Sequence, residues 1–145
     1  MHSLVNISEG TSLAIHGLGL MAERAPERLN VRQAAAELEA SEAHLAKVFG
    51  KLQKSGLVES VRGPAGGFTL ARKAEDISFF EVYEIFEAPT NPEECPMGRR
   101  HCPFGSCFLG GRLHKVVRGL LDVMTSTSIA DLGNSITRPN PSHSQ

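Results

Sequence analysis

The stretch from Ser41 to Arg72 constrains the fold of this 145-residue chain more than any other feature. Ser41 is a good helix N-cap, because its hydroxyl can accept a hydrogen bond from an amide of the first turn. Gly56 stands where a left-handed C-cap residue is expected. Between them the apolar residues recur at the three- and four-residue spacing of an amphipathic helix, namely Leu45, Val48, Phe49 and Leu52.

Two short strands are predicted after this helix. One runs from Leu57 to Val61 and the other lies around Phe68 to Ala71. The segment Gly63-Pro64-Ala65-Gly66-Gly67 separates them, and such glycine and proline clusters mark turns. A helix, a strand, a glycine-rich turn and a strand follow one another in the order of a recognition helix and its β-wing. The stretch therefore predicts a DNA-reading unit.

A second helix is predicted immediately before Ser41. Asn30 is expected to cap it, with Gln33 as the capping-box partner, and the helix is expected to cover Val31 to Leu38. The short connection to Ser41 has the spacing of a helix-turn-helix. The alternative is a generic helical hairpin, which the wing that follows disfavours.

The apolar stretch from Leu13 to Glu23 predicts the first helix, and we expect the helix to start near residues 9–12. Gly17 and Gly19 lower its intrinsic helix propensity, so packing must hold it. The same glycines would permit the close approach of another helix.

A short aromatic helix is predicted after the wing. Ser78 and Glu81 form a capping box, and the helix is expected to run from Phe79 to Glu87. Its aromatic face could form a ligand pocket near Tyr83, but core packing against the head is the expected role.

A longer helical pattern begins at Phe108. Its apolar residues step by four, three, four and three, namely Leu109, Leu113, Val116, Leu120 and Val123. This is the narrow seam of a coiled-coil-like pair, which predicts a homodimer. The alternative is that the stripe packs on the chain's own head.

The charge is unevenly distributed, although the whole chain carries only −1. Residues 1–73 hold 9 Lys/Arg against 7 Asp/Glu, whereas residues 74–145 hold 6 against 9. Residues 41–73 alone hold 6 against 2, a net charge of +4. Positive charge is thus concentrated where phosphate attraction would need it.

The composition and the number of cysteines limit the classes of function that this chain can have. Three cysteines within thirteen residues are an odd and clustered set, so a reducing cytoplasm is expected rather than a disulfide framework. The sequence shows no apolar run of membrane-spanning length and no secretion signal pattern. It also shows no phosphate loop and no acid–base constellation, so no enzyme activity is expected.

The segment Leu57 to Arg72, LVESVRGPAGGFTLAR, closely resembles the wing of the IscR/NsrR-type regulators, here called the Rrf-two family. The resemblance extends through the Ser78 helix, the cysteines, the long helix and the Ile129-Ala130-Asp131-Leu132 ending. It implies a bacterial transcriptional regulator, most simply a repressor, that binds near-palindromic operators as a homodimer. Many members carry an iron–sulfur cluster on three cysteines that senses redox state, nitric oxide or iron status. A minority lack the cluster.

The resemblance implies a mostly α fold with a small β-wing, a winged helix-turn-helix head and a C-terminal dimerisation helix. The predicted organisation is a DNA-binding domain over residues 1–88, a cysteine cluster-binding loop over 89–108, a dimerisation helix with a return segment over 109–136, and a disordered tail over 137–145.

The DNA-reading residues are carried over from the family position by position. Ser41, Ala43, His44 and Lys47 are expected to face the major groove or its phosphates, with Lys51 adding charge on the same helix. The wing tip is expected to reach a minor groove through Arg62, Gly63 and Pro64. Ala46 stands where some relatives have a carboxylate that discriminates between operators, which leaves the operator sequence open.

The resemblance assigns the cluster to Cys95, Cys102 and Cys107. Six and four residues separate them, whereas five and five are usual in the family. Soft thiolates in a glycine-containing loop suit an iron–sulfur centre, either two-iron or four-iron. A zinc site, a thiol/disulfide switch and inert cysteines remain alternatives, as does a cluster-free regulator with a small-molecule effector.

Three cysteines leave one coordination position open. Relatives with a histidine ligand place it three residues after the last cysteine, where this chain has Gly110. The candidates for the fourth ligand are Glu9, His16, His101 and His114, the first two reaching the site from the same chain or from the partner.

Overall fold

The structure is a computed structural model and describes residues 7–88, 91, 93–95 and 97–135. Over these residues the chain is mostly helical, with one antiparallel hairpin, as predicted. In chain order the elements are α1 (Glu9–Arg24), α2 (Val31–Glu37), α3 (Glu42–Lys54), β1 (Val58–Val61), β2 (Gly67–Leu70), a 3-10 turn (Ala74–Asp76), α4 (Phe79–Phe86), α5 (Arg112–Ser126) and α6 (Ile129–Ser135). The predicted disordered tail lies outside the described residues, as do Pro89 and Pro92 beyond α4.

Side-chain caps define the helix starts. The Ser41 hydroxyl accepts from the His44 amide at 3.1 Å, and Ser78 caps α4 in the same way. At α2 the expected capping-box geometry is wrong. Asn30 caps the helix as predicted, but its side chain accepts from the Arg32 amide at 2.8 Å rather than from that of Gln33, which is an Asx-type bond.

The core forms where α3 and the wing pack on α1. Phe49 is fully buried, and its ring meets the Phe68 ring edge-on at a centroid distance of 5.1 Å. A Cβ atom at Gly17 would lie 2.4 Å from the Phe49 ring, so only glycine admits this contact. The expectation that the α1 glycines permit close packing is confirmed here.

The C-terminal helices return to the head. Ile129 donates to the Ile77 carbonyl at 2.9 Å, and Phe79 donates to the Thr127 carbonyl at 2.8 Å. This places α6 against α1, where a Cβ atom at Gly19 would lie 3.2 Å from the Leu132 side chain. The C-terminal end of α5 is therefore fixed beside the start of α4.

The long helix begins later than its apolar pattern suggested. Gly110 and Gly111 have φ values of +56° and +73°, which break the helix before Arg112. On α5 the side chains of Val116, Leu120 and Val123 are 65, 38 and 58% exposed. These three residues are not among the described side chains that pack on the core of the head, whereas Leu113 of the same predicted stripe is half-buried. None of the helices in the described ranges combines the length and apolarity that crossing a membrane requires.

Candidate functional site

The outer face of α3 carries the sequence-predicted reading residues. Its apolar side chains point into the core, which leaves Ser41, Ala43 and Lys47 exposed and His44 half-buried. These four residues fall within the first two turns of the helix. A short helix whose N-terminal half is exposed on one face can enter a DNA major groove.

Glu9, one of the candidate fourth ligands, lies beside this face. Its carboxylate is 3.8 Å from Nδ1 of His44. The contact brings the first turn of α1 to the start of α3. In this protomer Glu9 therefore faces a predicted DNA-reading residue.

The wing tip is a closed turn. The Gly66 amide donates to the Gly63 carbonyl at 2.9 Å, and Gly63 has a φ of +107°. A Cβ atom at Gly66 would lie 2.3 Å from the Val61 carbonyl oxygen, so glycine is required for closure. Arg62, Gly63 and Pro64 are all exposed at this tip, as a groove-reading arginine must be.

Lys51 occupies a different environment from the other predicted reading residues. Its Nζ lies 4.8 Å from the centroid of the Phe86 ring, at the end of α4. Phe86 also covers Gly10 of α1, where an added Cβ atom would be 3.3 Å from the ring. Lys51 thus links the reading helix to the segment that leads into the cysteines.

Glu87 ties the same point to α1. Its carboxylate accepts from the Ser8 amide at 2.9 Å and from the hydroxyl of Thr11, which is fully buried. The hydrogen bonds from Ser8 and then from Thr11 lower the pKa of Glu87 below its ordinary value. No local sequence pattern predicts this contact, because its partners are 79 and 76 positions apart.

The three cysteines line one cavity of about 520 Å³. All three are free thiols, with Cys95 half-buried and Cys102 and Cys107 exposed. Apolar side chains form much of the wall, among them Met97, Phe104 and Phe108. Across the residues that the structure describes, no three His, Cys, Asp or Glu side chains are grouped closely enough to hold a metal ion.

The surroundings of Cys95 lower the pKa of its thiol. The backbone amides of Arg99 and then Met97 donate to its sulfur, and these bonds lower the pKa of the thiol. The Arg99 guanidinium adds a smaller effect in the same direction. The environment favours the thiolate, which is the form that binds metals and reacts with electrophiles.

The four candidate fourth ligands lie in different parts of the structure. His114 lines the cysteine cavity together with the three thiols. His16 lies on α1, where Nδ1 is 2.7 Å from the Ser12 carbonyl oxygen, and Glu9 faces His44 as described above. His101 is exposed beside Cys102.

Glu93 is a residue that the sequence reasoning missed. It lines the cavity, and its carboxylate forms an ion pair with Arg118 on α5. The acidic pair Glu93 and Glu94 just before Cys95 was the available signal. The ion pair connects the cysteine loop to the helix that carries the exposed apolar stripe.

The helix-turn-helix, the wing packed on α3 and the basic outer face define a winged helix-turn-helix DNA-binding protein. The family model described as Rrf2, iron-dependent transcriptional regulator, matches residues 7–135. The chain belongs to the Rrf2 family, whose members are transcriptional regulators and not enzymes. The predicted resemblance is confirmed.

Individual relatives are similar along most of the chain. Protein aau3 of Rhizobium meliloti (strain 1021) is 31% identical over 130 residues, covering 88% of this chain and 84% of that protein. The regulator NsrR of Bacillus licheniformis is 33% identical over 115 residues, covering 78 and 80%.

Solved structures share the fold. T. potens IscR superposes with a TM-score of 0.73 at 22% identity, covering 92% of this chain and 89% of that one. The B. subtilis global cysteine regulator CymR gives 0.68 at 22% identity, covering 90 and 98%.

Proposed function

We propose that this chain is a cytoplasmic, homodimeric repressor whose operator affinity is controlled by the chemical state of Cys95, Cys102 and Cys107. One observation carries the proposal. The three thiols line a single cavity in the loop that joins α4, which packs on the reading head, to α5, which bears an exposed apolar stripe. A change in that loop can therefore reach both the DNA-reading unit and the dimer helix.

DNA reading is assigned to α3 and the wing tip. Residues 41–73 carry a net charge of +4, which attracts phosphate, and the first turns of α3 supply Ser41, Ala43, His44 and Lys47 to the major groove. Arg62 would enter a narrow minor groove, where the negative potential is strongest.

Dimerisation is assigned to α5. Val116, Leu120 and Val123 lie on one face and are exposed in the isolated chain. Pairing two such faces would bury this apolar surface and place two heads on half-sites about one DNA turn apart. Simultaneous engagement then depends on the spacing between the heads.

The chemistry of the cysteine cavity favours an iron–sulfur cluster, although within the described residues the structure does not group three donors closely enough to hold a metal ion. Its donors are soft thiols, hydrogen bonds from the Arg99 and Met97 amides lower the pKa of the Cys95 thiol, and part of the wall is apolar. Cys95, Cys102 and Cys107 would hold the cluster, with His114 as the candidate fourth ligand within the same cavity. The bound cluster would supply a centre sensitive to oxidants, nitric oxide and iron status.

Coupling to the DNA-reading unit is assigned to two sets of contacts that the chain makes before Cys95. Glu87 fixes the end of α4 to Ser8 and Thr11, and Phe86 contacts Lys51 on α3. Six residues after Glu87, Glu93 pairs with Arg118 on α5. A loop that contracts around three joined thiolates would pull on these contacts and shift the heads relative to the dimer helix.

The test is anaerobic purification followed by a visible absorption spectrum with iron and sulfide counts, on the parent and on Cys102→Ala. We expect charge-transfer bands with matched iron and sulfide in the parent, and their loss in the variant. A colourless, iron-free parent would contradict the cluster.

A second candidate is a thiol/disulfide switch, favoured by the lowered pKa of Cys95. This candidate predicts a metal-free protein whose affinity for DNA changes with an oxidant and recovers with a thiol reductant. The same spectrum separates the two candidates.

A further inference from the structure

The wing needs support from outside its own two strands. A two-stranded hairpin is marginally stable alone, and the pairing here covers only four residue pairs, from Val58 with Leu70 to Val61 with Gly67. A groove-reading tip on such a hairpin must be held in place, because its mobility would have to be lost on binding.

The connection between α1 and α2 supplies part of that support. Leu29 exchanges two backbone hydrogen bonds with Phe68, at 2.8 and 2.9 Å, and so acts as a one-residue third strand. Gly67 permits this approach, since a Cβ atom there would lie 2.8 Å from the Leu29 carbonyl oxygen. These contacts secure the base of the wing.

The tip is reached by a side chain from the same connection. Nη1 of Arg28 donates to the carbonyl oxygen of Ala65 at 3.1 Å. Ala65 is inside the closed turn between Gly63 and Gly66, three residues from Arg62. A guanidinium–carbonyl bond is charge-assisted and directional, so it restrains the turn.

We infer that Arg28 is a positioning residue for DNA binding. It orders the wing tip in the free protein, so that Arg62 is already in place when it enters the groove. The inference rests on the proposed groove-reading role of Arg62. It assigns a function to a residue that lies outside both the helix-turn-helix and the wing. It also distinguishes Arg28 from a residue that would contact phosphate directly.

The experiment is a double-mutant cycle on DNA affinity. Arg28→Ala, Arg62→Ala and the double variant are compared in the full chain, with Lys115→Ala on α5 as a control that removes one exposed positive charge outside residues 41–73. The probe is a duplex selected from a random-sequence library for tight binding to the parent protein. Fluorescence anisotropy gives Kd at several salt concentrations.

We expect Arg28→Ala to weaken binding about fivefold in the parent background and less than about twofold when Arg62 is already alanine. The slope of log K against log salt should stay that of the parent. Lys115→Ala should change Kd less than Arg28→Ala does.

Three outcomes would overturn it. If Arg28→Ala has no effect while Arg62→Ala weakens binding, Arg28 does not position the tip, although the groove-reading role of Arg62 survives. If the two losses add and the salt slope falls by about 1, Arg28 contacts phosphate itself. If Arg62→Ala leaves Kd unchanged, the proposed role of Arg62 is wrong, and so is the positioning role of Arg28.

Hydrogen exchange on the free protein provides a readout that is independent of DNA. Arg28→Ala should speed exchange of the Gly66 amide, which closes the tip turn, and leave the Phe68 amide at the base protected. Unchanged exchange at Gly66 would contradict a restraining contact.

Discussion

The Lys51 ammonium lies over the Phe86 ring, with Nζ 4.8 Å from the ring centroid. This contact joins the reading helix α3 to the last residue of α4, beyond which the chain leads into the cysteine loop. Lys51 was predicted to contact DNA, and that role stays a prediction. The contact also makes the position of the Lys51 side chain depend on where the end of α4 lies.

Replacing Phe86 by leucine should weaken the link between cysteine state and DNA binding. Leucine retains apolar packing on Gly10 but removes the ring face, and exposed cation–π contacts contribute about 0.5–1 kcal/mol. We expect the ratio of duplex affinities with and without the cluster to move about two- to fivefold toward unity. Phe80→Leu, on the same helix, is the matched control, and an unchanged ratio in Phe86→Leu would exclude the contact from coupling.

Glu87→Gln should destabilise the protein at neutral pH and lose this effect in acid. The folded-state pKa of Glu87 is lowered, so its carboxylate contributes stability above the ordinary value of 4.5 and loses it as pH falls through the lowered pKa. Thermal melts of parent and variant should therefore differ at pH 7 and converge well below pH 4.5. A difference that persisted unchanged in acid would show that the ionised carboxylate is not the cause.

Two glycine substitutions should have opposite effects on stability. Gly17→Ala places a methyl group 2.4 Å from the buried Phe49 ring and should cost about 1–3 kcal/mol. Gly50→Ala, on α3, adds a methyl group with no neighbour within 4 Å and should stabilise by up to about 1 kcal/mol through helix propensity. Denaturant unfolding of both variants measures the difference, and equal midpoints would contradict the packing described for α1.

Val116→Glu should convert the protein to a monomer, because it places a charge in the exposed apolar stripe of α5. Lys115→Glu makes a larger charge change at the neighbouring exposed position and serves as the control. Sedimentation equilibrium reads the mass directly. A Val116→Glu dimer as tight as the parent would place the interface elsewhere.

The reading head could be predicted from sequence because its signals are local. The Ser41 cap, the α3 spacing and the Gly63–Gly67 turn each depend on residues a few positions apart, and each has the expected structure. The start of α5 was placed too early, since the apolar period continued through Gly110 and Gly111 while the backbone did not. Contacts such as Glu87 with Thr11 or Arg28 with Ala65 join distant positions and have no periodic signature.

The sequence predicts which three cysteines belong to the site, but it does not predict how they are arranged in space. The resemblance identified Cys95, Cys102 and Cys107, and the structure brings them to one cavity. Among the four fourth-ligand candidates, the cavity includes His114, which sequence spacing alone could not favour. Ligand choice depends on how a loop folds around its donors, and loops follow no regular spacing.

The most direct test of the account is the Kd for the selected duplex, measured anaerobically on one preparation before and after the cluster is removed. If the three cysteines control DNA binding, Kd should change at least about tenfold, in either direction, and should not change for Cys102→Ala under the same treatment. Circular dichroism on both samples confirms that the fold is retained. Equal affinities with and without the cluster, in a folded protein, would contradict control of DNA binding by these three cysteines.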